Sequence, residues 1–569
     1  MTDVVGTAGI DPNPVALVDL SIARRGLPSW LTTTDHKRIA ILTMASSLVF
    51  LLTFGLMALT MRAQLAQPEQ HLVSNQAYDE LFTLHGSGMI YLVLTPLAIG
   101  MGLYLVPLQI GAPMVAAPKA CLWSYWTYIF GGLIILLSAA STGGPDAGWY
   151  AYTPLSDSQN SPGYGMDLWI LGVMLAVGAM MVMSGAVLWT ALRMRAPGMS
   201  LLRMPVFTWS EVATCLMSVA SFPSLLGAMG LLAVGRVDPS LFSHNTWNVA
   251  YQFLFWFYGH PVVYVMFFPF VGAVAEVIAT FSGRKYFGYT FTVYSLLAFA
   301  AGSMAVFGHH MFTTHQSVND YFSLSSIMLS VPAGVEYFGL IGTLVGGRIR
   351  YRTPMLFALA FIPQFLVGGL TGIMVATPVI DNQVHGTYFI VAHFHYTLFA
   401  GSVFGAFAGL YFWFPKATGV LLSERLGRIN FWLMVIGTNM AFLPMFFSGF
   451  EGMPRRVVTY SDASGFGTLN LVSSIGAGIL ALGVGVFVYN ALRSLILARS
   501  AGADPWGAGQ TLEWTTSSPP PRFNFDGDHP IPPIRSYAPL LELARGPAPR
   551  RPGAAEEAAV GATAWPNEP

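Results

Sequence analysis

Charge is scarce in this chain of 569 residues: Asp, Glu, Lys and Arg together make up 9% of it, against 54% hydrophobic residues. A soluble domain carries roughly a quarter charged residues, so a soluble globular fold is excluded, and a mean hydropathy of +0.57 agrees. The 27 basic side chains balance 27 acidic ones, which leaves no electrostatic footprint for nucleic acid, and none is expected as a partner. Cysteine is nearly absent too. Cys121 and Cys215 lie in apolar stretches without CxxC or Cys/His spacing, which gives no basis for a disulfide framework or a thiolate metal site. Nor is a cleavable signal sequence expected, because MTDVVGTAGIDPNP is polar and acidic and the first apolar run follows only after His36, Lys37 and Arg38.

What the chain does have is hydrophobic length. A helix needs about 20 apolar residues to cross a bilayer core, and twelve runs qualify, near 39–61, 84–108, 121–141, 168–192, 212–235, 247–275, 288–312, 322–346, 355–376, 387–414, 430–450 and 469–492. The expected fold is all-α: an integral membrane domain of twelve transmembrane helices over 28–500, preceded by a polar N-terminal segment, 1–27. Residues 501–569 are rich in Pro, Gly and Ala and too poor in apolar pattern to fold alone, so a mostly disordered tail is expected.

Positive charge assigns the sides. The even-numbered connections carry twelve basic residues, Lys119, Arg193, Arg195, Arg203, Arg284, Lys285, Arg348, Arg350, Arg352, Lys416, Arg425 and Arg428, whereas the odd ones carry four, Arg62, Arg236, Arg455 and Arg456. This excess puts both termini in the cytoplasm. It also makes Arg62, Arg455 and Arg456 exceptions that need a reason.

Polar side chains within a bilayer are costly and usually functional, and six of the 12 histidines fall in spans: His85, His260, His309, His310, His393 and His395. Spans two, six and ten run inward and carry theirs in the outer half, while span seven runs outward and carries His309 and His310 near its outer end. All six therefore meet at similar depth. At about 100° per residue, His393 and His395 point about 200° apart, so one helix can serve two metal centres on opposite faces. His309 and His310 diverge by only about 100°, which suits two ligands to one metal, and neutral imidazole suits copper or heme iron. His260 and Tyr264, four apart, share a helix face.

These residues sit in the strings WFYGHPVVYV (256–265), GHHMFT (308–313) and VAHFHY (391–396), alongside GWYAYTPLS (148–156), MPRR (453–456) and TLEWTTSSPPP (511–521). Together, in this order, they resemble subunit I of the heme-copper oxidases, type A, over about Pro28 to Phe525. The resemblance implies that His85 and His395 are the axial pair of a low-spin heme and His393 the proximal ligand of a high-spin heme. It implies copper on His260, His309 and His310, and a Tyr264 covalently joined to His260 that supplies an electron and a proton when the oxygen–oxygen bond breaks. Arg455 and Arg456 match the pair that bonds heme propionates, a suitable task for guanidinium. Trp149 matches a tryptophan near those propionates, and Trp256 a ring beside copper. Arg62 matches the arginine at the formyl group of the low-spin heme, favouring heme A.

The implied function is that of the catalytic subunit of a respiratory terminal oxidase, taking electrons from cytochrome c and reducing dioxygen to water. The implied setting is a bacterial cytoplasmic membrane, with lipid around the chain, a subunit II and a subunit III-like accessory chain. Since no CxxxC motif occurs in this chain, the copper centre through which electrons enter is expected on subunit II.

The chain departs from its family along the proton paths. The common HPEVY is HPVVY, with Val262 in place of the glutamate; Tyr258 fits a Tyr-Ser version, but the serine is Gly259. The polar residues at the entrance of the same path are replaced by Leu103 and Met114, and the lysine of a second path by Glu336 in PAGVE, with Ala333 at its threonine. Glu336, with Tyr264 at its upper end, is the expected proton carrier, and pumping through span six is expected to be weak or absent. At QVHGTY the carboxylate beside His385 is Gly386, so a magnesium ion loses its best oxygen ligand and none is claimed. The alternative is a nitric oxide reductase of the same superfamily, which needs no pump. A twelve-span transporter would explain the spans, but it gives no reason for MPRR, GHHMFT and HxH to occur together.

Overall fold

The computed structural model describes residues 26–243, 245–314 and 318–545. Most of the N-terminal segment and the last part of the tail, 546–569, lie outside the described residues. The twelve expected spans are all present as helices: α1 (His36–Gln64), α2 (Asn75–Gln109), α3 (Pro118–Ser138), α4 (Gly165–Arg193), α5 (Val206–Val237), α6 (Asn245–Ser282), α7 (Tyr289–Thr314), α8 (Asn319–Leu344), α9 (Thr353–Val375), α10 (Tyr388–Thr418), α11 (Glu424–Phe450) and α12 (Gly467–Leu497). Helix is what a bilayer demands, because it satisfies every backbone polar group within the segment. Starts are set by short polar side chains: Asp35 accepts from Lys37 N, Ser74 from Ala77 N, Thr387 from Phe389 N and Ser423 from Leu426 N.

Burial sorts the helices. The apolar windows of α2, α6 and α10 are 94%, 89% and 72% buried, against 22% for α12 and 28% for α8 and α9. The histidine-bearing helices α2, α6 and α10 thus form the centre, and the outer ones turn residues such as Phe291, Phe338 and Ile496 outward. Small residues let backbones approach: a Cβ on Gly476 of α12 would lie 2.3 Å from Ala441 N of α11.

The central helices are irregular where they carry histidine. Both α2 and α10 widen into π-helix three residues after a histidine, over Gly88–Leu94 behind His85 and over Leu398–Val403 behind His395. Such turns recur at functional sites. In α6 the helix breaks at His260, because Pro261 has no N–H to donate. The end of α7, Phe307–Thr314, is a 3-10 helix, so His309 and His310 diverge by about 120° rather than the 100° of an α-helix.

The structure corrects the expectation of a mostly disordered tail for residues 501–545, which close one end of the bundle. Leu512, Glu513 and Trp514 are buried. Lys416 Nζ donates to the carbonyls of Ala503, Thr516 and Ser517 and lies 5.4 Å from the Trp514 ring centre. Asn524 Nδ2 donates to Ala112 O at 2.8 Å, and Lys37 Nζ to Arg522 O and Asn524 Oδ1. The segment has too little apolar surface to fold by itself but enough to fold onto a bundle already made.

The opposite end carries the four arginines of the odd connections, Arg62, Arg236, Arg455 and Arg456, and none is a loose surface charge. Arg236 is 6% exposed; it pairs with Asp167 through Nε at 2.7 Å and Nη2 at 3.0 Å, and donates to the carbonyls of Ser156, Ser161 and Gly163. The other three belong to the site.

Candidate metal centres

Three histidines from two helices meet first. His260 Nδ1 and His309 Nε2 each lie 3.2 Å from His310 Nε2, and one ring nitrogen from each residue falls within 4.8 Å of the others. Ser326 Oγ gives its proton to Phe322 O and so accepts from His309 Nδ1, 2.7 Å away. That leaves a lone pair on His309 Nε2. A single N–H on His310 cannot satisfy two facing nitrogens, whereas one metal ion can. Bonds of about 2.0 Å at tetrahedral angles put ligand nitrogens about 3.3 Å apart. The three residues therefore fit one metal ion as they stand.

Around this cluster, Trp256 stacks on His310 with ring centres 3.9 Å apart and planes 17° from parallel, and its Nε1 donates to Tyr152 OH. Tyr264 approaches His260 edge-on, with ring centres 4.9 Å apart, and His260 Nε2 is buried without a partner. His393 faces the same region from α10. Thr371 Oγ1 gives its proton to Val367 O or Gly368 O and accepts from His393 Nδ1 at 3.1 Å, so Nε2 is free to ligate. Gly372 allows the approach, since even a Cβ there would sit 3.3 Å from His393 Cε1.

His395, two residues on, faces the other way. Its ring lies 6.5 Å from that of His85, with planes 10° from parallel, and stacks on Phe442 of α11 at 4.2 Å. His85 Nδ1 donates to Phe54 O at 2.9 Å and His395 Nδ1 to Val391 O at 2.8 Å. Both tautomers leave Nε2 as the ligand atom. Two imidazoles bonded to one metal from opposite sides at about 2 Å put their centres about 6 Å apart, so this pair fits a six-coordinate heme.

Arg455 and Arg456 stand over the ring of Tyr150, which packs on Trp149. A bridge from Thr387 to Pro454 fixes their loop to the start of α10, with Tyr388 N donating to Met453 O and Arg455 N to Gly386 O. Arg456 lies 4.5 Å and Arg455 6.0 Å from the Tyr150 ring centre. Arg456 holds φ 67, a left-handed conformation costing roughly 1 kcal/mol outside glycine. Its guanidinium packs on Gly148, where an added Cβ would lie 2.7 Å from Nη2. Burial lowers its proton affinity below the ordinary guanidinium value, opposed by Tyr150 and reinforced by Arg455. Among the described residues neither guanidinium has a carboxylate in ion-pair contact. Two such cations side by side fit the carboxylates of a heme.

Trp149 packs on Phe255 and Trp256, with ring centres at 5.1 and 5.8 Å, and bridges the arginine loop to the three-histidine cluster. Arg62 is buried; its Nη2 donates to Asn470 and Ser474, while Nε and Nη1 have no partner. His385 is held by Asp381, with Nδ1 3.1 Å from Oδ2. Glu336 lies apart from the histidines, 4% exposed with Oε1 unpartnered, on a small cavity lined also by Phe267, Phe299 and Phe361. Phe299 in turn packs on Tyr264 with ring centres 4.7 Å apart.

Sequence alone gives no reason to single out Thr371, Ser326, Tyr152 or Asp381. Ser326, Thr371 and Tyr152 matter through partners 17, 22 and 104 residues away, and Asp381 through His385, one helical turn on.

A membrane-embedded metalloprotein whose centres are framed by histidines inside the helix bundle is the class that this fold and site define. The chain belongs to the cytochrome c and quinol oxidase polypeptide I family, which matches residues 38–479, and it is the catalytic subunit of a terminal oxidase, an oxidoreductase of a family that uses heme and copper. It is 46% identical over 527 residues to a probable cytochrome c oxidase subunit 1-beta of Nocardia farcinica, covering 91% of this chain and 88% of that one. It is 45% identical over 528 residues to cytochrome c oxidase subunit 1 of Corynebacterium efficiens, covering 92% and 90%. Among solved structures, a heme-copper terminal oxidase dimer shares the fold with a TM-score of 0.68 at 18% identity, over 81% of this chain and 84% of that one.

Proposed function

We propose that this chain reduces dioxygen to water with electrons from cytochrome c, using two hemes, both heme A, and one copper ion. The observation that carries the reading is the approach of His260 Nδ1, His309 Nε2 and His310 Nε2 to one point, beside Tyr264 and facing His393. When bound, the high-spin heme and copper supply the electrons and the coordination sites at which dioxygen is split.

The chain's own residues do the rest. His260, His309 and His310 would hold copper, and His393 would hold the high-spin heme. His85 and His395 would hold the low-spin heme, whose chemistry would be electron transfer. Tyr264 would give an electron and its hydroxyl proton to dioxygen as the oxygen–oxygen bond breaks, and we assign it a covalent link to the unpartnered His260 Nε2, formed with loss of two hydrogens to dioxygen as oxidant. Arg455 and Arg456 would hold the propionates, with Trp149 packed against the Tyr150 ring that they cover, and Arg62, whose Nε and Nη1 have no partner, would meet the formyl of the low-spin heme.

Protons reach Tyr264 from Glu336 by way of the cavity beside Phe299. Val262, Leu103 and Met114 close the usual route through α6 to protons, so pumping along it is weak or absent. A subunit II with the copper entry centre, a subunit III-like chain and a bacterial cytoplasmic membrane with both termini inside complete the reading. Turnover of the purified complex with dioxygen and with nitric oxide, alongside pyridine hemochrome spectra, tests it. Dioxygen uptake with heme A bands is the expected result; nitrous oxide formation without dioxygen uptake would overturn it.

A further inference from the structure

Glu211 of α5 has no part in the arrangement above. It is fully buried, and neither carboxyl oxygen has a hydrogen-bond partner. The carboxyl fills the space left by Gly102 on α2, where an added Cβ would lie 2.5 Å from it. An unpaired carboxylate is far costlier in such surroundings than the neutral acid, so Glu211 carries a proton that nothing in the protein accepts.

The residue lies on a line of polar groups. One turn toward the tail, Thr208 Oγ1 donates to Gln109 Oε1 at 2.8 Å, and Gln109 Nε2 donates to Glu513 Oε1 at 3.1 Å. In the other direction Thr214, Cys215, Ser218 and Ser221 follow at three- and four-residue steps on the same face of α5, each fully buried. That face meets α6 where Phe222 packs edge-on to Tyr258, with ring centres 5.3 Å apart, two residues before His260. A row of buried polar side chains with an unpaired acid in its lower half thus runs from the cytoplasmic cap up α5 to Ser221, beside the Phe222–Tyr258 contact with α6.

We propose that Glu211 is a proton-relay acid on a second route, distinct from that of Glu336, along this face of α5. The carboxyl gives its proton to the hydroxyl groups above, with internal water bridging the steps between turns, and is reprotonated from the Thr208 and Gln109 side. It ends each cycle unchanged, and the protons it passes are those consumed in forming water.

The test uses the purified complete oxidase carrying Glu211→Gln, Glu211→Asp or Glu336→Gln. For Glu211→Gln we expect unchanged heme spectra and metal content and turnover with dioxygen about tenfold lower. A carboxylic-acid carbonyl band should also vanish from the reduced-minus-oxidised infrared difference spectrum. Glu211→Asp keeps such a band, shifted, and recovers most of the turnover. A different band vanishes in Glu336→Gln, so the two routes are read separately. Wild-type turnover in Glu211→Gln overturns the proposal. Should that variant fail to assemble, Thr208→Val decides: lowered turnover with intact spectra supports the relay, and unchanged turnover overturns it.

Discussion

His85 and His395, 310 positions apart in the chain, face each other with ring centres 6.5 Å apart and planes 10° from parallel. Each is fixed by its own Nδ1–H bond to a backbone carbonyl, so the two Nε2 atoms are presented without any need for rearrangement. Replacing His395 with alanine is expected to abolish the low-spin heme bands in the visible spectrum while copper, measured by atomic absorption, stays bound.

The three-histidine cluster makes the reciprocal prediction. His309→Ala removes one ligand and leaves Ser326 without its acceptor role, and copper content should fall by more than tenfold. The bands of the low-spin heme should persist, because His85 and His395 are untouched. Loss of both signals together would point to misfolding in place of a lost ligand.

Glu336→Gln keeps the shape of a side chain that is 4% exposed and removes its exchangeable acid. Turnover with dioxygen is expected to fall by roughly 10- to 100-fold, the range typical of a lost proton-transfer group, with heme spectra intact. Near-wild-type turnover would sink the Glu336 route.

Arg456→Gln removes one of two half-buried cations that, among the described residues, have no carboxylate in ion-pair contact. Loss of positive charge favours the oxidised form of a nearby heme, so redox titration should show a midpoint lower by tens of millivolts, roughly 1 kcal/mol for a one-electron couple. An unchanged midpoint would mean that the pair does not face the propionates.

Lys416→Met tests the tail. The ammonium donates to three carbonyls of the 503–517 segment, and hydrogen bonds to a charged group are worth about 1.5–3 kcal/mol each. The variant should lose several degrees in melting temperature and expose the segment beyond Leu497 to limited proteolysis, without change in the heme spectra.

The meeting of the six histidines was legible in the sequence because a histidine in hydrocarbon is expensive and conspicuous, and because the depth of each span follows from loop charges alone. Other features were hidden for physical reasons. Whether α7 ends as an α- or 3-10 helix depends on what packs against GHHMFT, and no local propensity decides it. Glu211 escaped notice because the apolar run begins at 212, which put the carboxyl at a span edge; the helix begins at Val206 and carries it inside. The order within 501–545 is hidden in the sequence because the composition of 501–569 averages buried Leu512, Glu513 and Trp514 with many Pro, Gly and Ala residues. That order comes from partners such as Lys416 and Ala112, far away in the chain.

His393 and His395 hang from opposite faces of one helix, so under the proposed ligation α10 acts as a balance beam between the two centres. A sideways shift of the helix that carries one histidine toward its heme would draw the other away, and no rearrangement of the remaining helices changes the two residues of backbone that set their spacing. Thr371 and Gly372 on one flank and Phe442 on the other hold the beam at its pivot.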